Sequence, residues 1–140
     1  STTRSSATIT ANANTTLANV TGLVATVVPG TYMFRCELAG TSGASGGWKV
    51  AFKYTGTVVS VLEATGMAFT ASAVAVANTA TATDQASLIA VTAANIAGMI
   101  YGTMVVTTGG TVQLQFAQNA SNGTTSSINV GSTMTFTRIA

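Results

Sequence analysis

The sequence predicts an all-β domain, an antiparallel two-sheet sandwich of jelly-roll type. Three observations carry this expectation. Apolar residues recur at every second position in short runs, clusters of Gly, Ser, Thr and Asn separate those runs, and no stretch of any length repeats at the helical period. Alternate side chains of a strand point to opposite faces, so each run offers one apolar face to a core. About eight to ten such strands make one domain. At 140 residues it is long enough to bury a core without disulfide or metal.

Residues 1–16, "STTRSSATITANANTT", read as an extended N-terminal arm preceding a β domain at 17–140. Arg4 is the arm's only charge and Ile9 its only large apolar residue, so it is expected to order against a partner rather than bury surface by itself. It has no apolar stretch of the kind a signal peptide carries. Leu23 to Val28 reads as a strand ended by Pro29-Gly30, and Tyr32 to Ala39 follows at once, giving a tight strand pair or a corner. In the second of these, Tyr32, Phe34, Cys36 and Leu38 share one face while Met33, Arg35, Glu37 and Ala39 share the other. Cys36 therefore belongs to the core, where a free thiol packs as a small hydrophobe. After the flexible loop "GTSGASGG", Trp48, Val50, Phe52 and Tyr54 alternate with Lys49, Ala51 and Lys53. Thr57 to Glu63, Gly66 to Ala71 and Gln85 to Val91 are further strands, and 72–83 reads equally as strand or long loop. Thr111 to Gln118 sets Val112, Leu114 and Phe116 against Gln113, Gln115 and Ala117. A polar loop leads to Ile128 to Val130, and Met134 and Phe136 face inward from the last strand.

The strand at 96–106 differs from the others. Ile96, Ile100, Met104 and Val106 lie on one face, and Met99, Tyr101 and Val105 on the other. Apolar residues on both faces imply that the outer face is covered too, most simply by a neighbouring subunit. The surrounding segment Leu88 to Val106 is uncharged and as long as a spanning helix, with Gly98-x-x-x-Gly102 inside it. Its content of Thr, Val, Ile and Tyr and its lack of flanking Lys or Arg favour strands over a membrane helix.

Charged residues form only 6% of the chain, against roughly a quarter in typical soluble domains. A net charge of +2 from scattered groups does not make a nucleic-acid footprint. Glu37, Glu63 and Asp84 are the only carboxylates, no histidine is present, and Cys36 is the one cysteine. Neither a metal set nor an acid/base pair in a known motif can be assembled from these, and the Gly-rich loop lacks the Gly-Lys-Ser/Thr ending of a phosphate loop. The expectation is a non-enzyme with no cofactor, no nucleic acid and no membrane.

The run "PGTYMFRCEL" resembles the Pro-Gly-x-Tyr-x-Phe strand of the trimeric jelly rolls of the complement and tumour-necrosis-factor type. More closely, "TLANVTGLVATVVPGTYMFRCEL", "IAGMI" and "GTVQLQFAQNASNGTTSSINVGSTMTFTRI" resemble a group of bacteriophage virion proteins, small β domains that decorate capsids or end tail fibres. The likeness runs from Thr16 onward. It implies a homotrimer with a structural role in the virion, at the capsid surface and in the host cytoplasm during assembly. In the first reading the chain is a decoration or cement protein that stabilises the head shell by binding the major capsid protein or neighbouring subunits, with Arg4 and Ile9 of the arm attaching it. The alternative is a receptor-binding tip domain of a tail fibre. The expected trimer interface is Met99, Tyr101 and Val105. The expected core is Tyr32, Phe34, Cys36, Leu38, Trp48, Val50, Phe52, Leu114, Phe116 and Phe136.

Overall fold

A computed structural model of the chain describes residues 1–79 and 84–140. Twelve strands and no helix lie among them. They are β1 (Thr2–Arg4), β2 (Ile9–Ala11), β3 (Ala18–Val27), β4 (Gly30–Thr41), β5 (Trp48–Thr55) and β6 (Val58–Phe69), followed by β7 (Val74–Thr79), β8 (Ser87–Val91), β9 (Ala97–Thr108), β10 (Gly110–Ala117), β11 (Ser126–Ile128) and β12 (Thr133–Arg138). The larger sheet has the order β1-β12-β4-β9-β6-β7, with β11 joining β4 to β2, and the smaller has the order β3-β10-β5-β8. Every pairing is antiparallel, and four of them nest around one another: β1 with β12, β3 with β10, β4 with β9, β5 with β8. The two sheets form a sandwich, as the alternation predicts.

Pro29-Gly30 is a corner rather than a hairpin. β3 lies in the small sheet and β4 in the large one, so the chain changes layers there. The Tyr32 hydroxyl fastens this corner, accepting from Val28 N at 3.1 Å and donating to Val28 O at 3.0 Å. The ring of Tyr32 meanwhile packs inward, edge-on to Phe136. Phe34 stacks on Phe136 and meets Phe52 of the facing sheet edge to face, with centroids 5.5 and 5.4 Å apart. Cys36, Leu38, Ile100, Met104 and Met134 extend the large sheet's inner face, and Leu23, Trp48, Val50, Leu114 and Phe116 extend the small sheet's. Trp48 is fully buried, and its indole N–H donates to Thr41 O at 3.0 Å. Cys36 is fully buried as well, and burial pushes its thiol well above the ordinary range, so it stays protonated and inert.

The N-terminal segment differs from the arm expected of it. β1 pairs with β12 through Thr2↔Thr135 and Arg4↔Thr133, and β2 pairs with β11 through Ile9↔Ile128. Ile9 packs against this domain's own core, and Ser5 and Ala11 are buried. Gly22, at φ +90°, makes room for the segment to cross β3, because a Cβ there would lie 2.4 Å from Arg4 O. Buried Gln118 ties down the other end, accepting from Asn14 N and Asn122 N at 3.1 Å and donating to Asn122 O and Thr124 O. Main-chain bonding supplies what apolar burial does not. A reading based on hydrophobic pattern misses such a segment.

Other differences are smaller. Thr57 to Glu63 and Gly66 to Ala71 form one strand, β6, with register shifts near its start and a further shift at Gly66/Met67 where β7 pairs with it. Val74–Thr79 of the ambiguous stretch is strand, and 80–83 falls outside the described residues. Gln115, Ala51 and Ala117 are buried although they sit on the outer side of the small sheet. Gln115 is covered and bonded by Gln85, which donates to its Oε1 at 2.5 Å, while Gln115 Nε2 donates to Asn19 Oδ1 at 2.8 Å. The segment Leu88 to Val106 is β8, a connection and β9, and no helix among the described residues is long and apolar enough to cross a membrane.

In that connection polarity is inverted. Ile96, expected inside, is 51% exposed, while its neighbour Asn95 is 1% exposed with neither amide atom hydrogen-bonded. Main-chain bonds explain the inversion. Asn95 N donates to Ser42 Oγ at 2.8 Å, Ile96 N to Phe69 O at 2.8 Å, and Gly40 N to Ile96 O at 3.1 Å. Together they hold the backbone in an orientation that points Asn95 inward.

Candidate interaction face

Inward alternation on one side of a sheet leaves the other side to be accounted for, and on the large sheet that outer side is broad. β4 contributes Met33, Arg35 and Glu37, all exposed. β9 lies beside it with Tyr101 opposite Arg35 and Met99 opposite Glu37. On the far side of β9, β6 sets Thr65 beside Tyr101, Met67 beside Met99 and Glu63 beside Thr103. On the far side of β4, β12 sets Thr135 beside Arg35 and Thr133 beside Glu37, and β1 adds Thr2 and Arg4 to the same rows.

The face carries no net charge and much apolar surface. Met33 is 55% and Tyr101 44% exposed, and Met99 and Val105 are half-buried. A groove of about 480 Å³ runs between Met33, Met99 and Tyr101, lined also by Phe34, Arg35, Gly102 and Thr103. Arg35 and Glu37, two apart on β4, neutralise each other at 2.6 Å. Thr133 and Thr135 of β12 offer methyl groups as well as hydroxyls, and Thr135 shares a hydrogen bond of 3.1 Å with Thr2. Met99, Tyr101 and Val105 thus share one outer surface, which also includes Met33, Met67 and the β12 threonines that sequence reasoning did not assign to it. The alternation Thr133-x-Thr135-x-Thr137 marks one side of β12, but no local signal places β12 beside β4.

The remaining chemistry-bearing groups do not converge. Glu37 and Glu63 lie two strands and four residues apart on the large sheet, about 17 Å between Cα atoms from strand geometry. That exceeds the roughly 5–9.5 Å carboxyl spacing of glycoside hydrolysis. Asp84 is engaged elsewhere, accepting from Lys53 Nζ and from Tyr54 N at 2.5 and 2.7 Å. Burial, with a smaller contribution from the Asp84 charge, pushes the Tyr54 hydroxyl up to about 12. Among the described residues, no three His, Cys, Asp or Glu side chains are grouped so as to hold a metal ion. The ten predicted core residues, from Tyr32 to Phe136, are all buried. Arg4 is exposed on the outer face, whereas Ile9 is spent on the domain's own packing. Comparison with known proteins places the chain in no group: no family model matches it, and neither does any curated protein or solved structure.

Proposed function

We propose that this chain is a structural protein of a bacteriophage particle, a homotrimeric decoration protein that binds and stabilises the capsid shell. The observation that carries the reading is the outer face of the large sheet, where Met33, Met67, Met99, Tyr101 and Val105 lie on three adjacent strands and the Arg35 and Glu37 between them neutralise each other. Monomeric proteins rarely leave a contiguous patch of this kind bare. The nested strand pairing supports the jelly-roll type, and the likeness of the β4 and β10 to β12 segments to phage virion domains supports the setting. Trimer contacts through Met99, Tyr101 and Val105 cover the face. The partner is the major capsid protein or a neighbouring virion subunit. Attachment by a loose arm is no part of the reading, because residues 2–4 and 9–11 of that segment are paired within the domain.

Two measurements test it. Native mass spectrometry should find three copies, and Tyr101→Asp, which places a charge inside the contact, should yield monomers. The intact protein should co-sediment with capsids that lack it, and the monomeric variant should not. Absence of capsid binding by the intact trimer, together with binding to host-cell surfaces, would move the protein to a fibre tip.

A further inference from the structure

The charges on the outer face of the large sheet are arranged symmetrically. Four of the chain's eight charged residues lie there: Arg4, Arg35, Glu37 and Glu63. The middle two neutralise each other. The outer two, Arg4 on β1 and Glu63 on β6, are exposed and have no ion-pair partner among the described residues. In the order β1-β12-β4-β9-β6 they lie two strands to either side of β4, with opposite sign, and the register sets Arg4 level with Glu37 and Glu63 level with Met33, about 13 Å apart along the strands. A rotation axis above Arg35, inclined to the strands by about 35° so that it is perpendicular to the Arg4–Glu63 line, brings the β1–β12 half of one face against the β9–β6 half of the next with the two charges at one height. Arg4 of each copy then meets Glu63 of its neighbour, and Thr133 and Thr137 of β12 come level with Tyr101 and Val105 of β9.

We infer that this face binds a second copy of the same chain head to tail, with an intersubunit Arg4–Glu63 ion pair setting the register. The inference rests on the trimer reading and specifies its contact. Charge balance points to a copy of the same chain, since the face is neutral overall and its two unpaired charges are mutually complementary. Such pairs fix register and reject wrong alignments more than they add affinity.

Charge exchange is the test. Arg4→Glu and Glu63→Arg should each weaken association at least tenfold at low ionic strength, by sedimentation equilibrium of the full chain. The combined variant should return to within about threefold of the parent. Lys49→Glu, on the opposite sheet, alters net charge as Arg4→Glu does and should leave association unchanged. The near-ultraviolet signal of buried Trp48 reports that each variant is folded. If the parent associates but the combined variant remains as weak as the single ones, or the single ones associate normally, the head-to-tail register is wrong and the trimer reading stands. A parent that stays monomeric overturns both.

Discussion

Replacing Asn95 by leucine should make this protein more stable. Asn95 is 1% exposed, and neither Nδ2 nor Oδ1 has a hydrogen-bond partner. A buried donor or acceptor left unmade costs about 1–3 kcal/mol of lost hydration. Leucine has nearly the same length and branching, removes both polar atoms and adds apolar burial. Its slightly larger end costs up to about 1–3 kcal/mol if the surroundings cannot adjust. The backbone bonds that fix the connection belong to Asn95 N, Ile96 N and Ser42 Oγ, not to the amide, so they survive the change. The net expectation is a gain of about 1–2 kcal/mol per subunit. Guanidinium unfolding followed by the fluorescence of Trp48, the only tryptophan, reads this directly when protein concentration is held fixed. Asn95→Ala serves as the comparison, since it deletes the amide but leaves unfilled volume and should gain less. A loss of 1 kcal/mol or more in Asn95→Leu, at unchanged m-value, would refute the reasoning. It would mean that the amide stabilises the fold through bonds made in solution.

Phe34→Ala opens the aromatic cluster with Phe52 and Phe136 and should cost about 3–5 kcal/mol by denaturant unfolding, whereas a loss below about 1 would mean that the cluster closes over the gap. Tyr54 sets an alkaline limit: burial lifts its hydroxyl from the ordinary tyrosine value of 10.0 to about 12, so its stabilisation is complete below pH 10 and fades as pH rises towards 12. Absorbance titration should show Tyr54 ionising late, and Asp84→Asn should bring it earlier. Deleting residues 1–16 strips β1 and β2 from their partners and should cost at least about 2 kcal/mol, because several main-chain bonds go with them. A shortened chain as stable as the parent would show that the segment is not docked in solution.

Much of this fold is legible in the sequence, and the reasons lie in particular residues. Large apolar side chains at strict alternation in β4 and β5 specify which face is buried, since a one-residue slip would expose all of them. Pro29-Gly30 marks a break without saying whether the chain turns back or changes sheets. β1 and β2 carry no such alternation, and their place depends on edges that the other strands create. Ala51 and Ala117 show how little a small residue reveals, because its burial is decided by larger neighbours. Ile96 departs from its expected face for a related reason: hydrophobic preference orders side chains only where main-chain bonding leaves the choice open. The outer face was legible at β9, where both sides are apolar, and illegible at β12, whose position beside β4 is a matter of topology.

The pairing of β1 with β12 bears on how the molecule is made. Residues 2–4 emerge from the ribosome early and 133–138 late, so the first strand must wait until nearly the whole domain has been synthesised. β4 waits as well, since both of its main neighbours, β9 and β12, come after it. Closing such long loops before any contact repays them slows folding, and domains of this topology typically need milliseconds to seconds. During that interval β4, with its row of large apolar side chains, is an open-edged strand that other nascent chains could pair with. A circular permutant that begins at the exposed Gly123 and links residue 140 to residue 1 would synthesise β12 and β1 in succession, turning the most distant pairing in the chain into one of its most local.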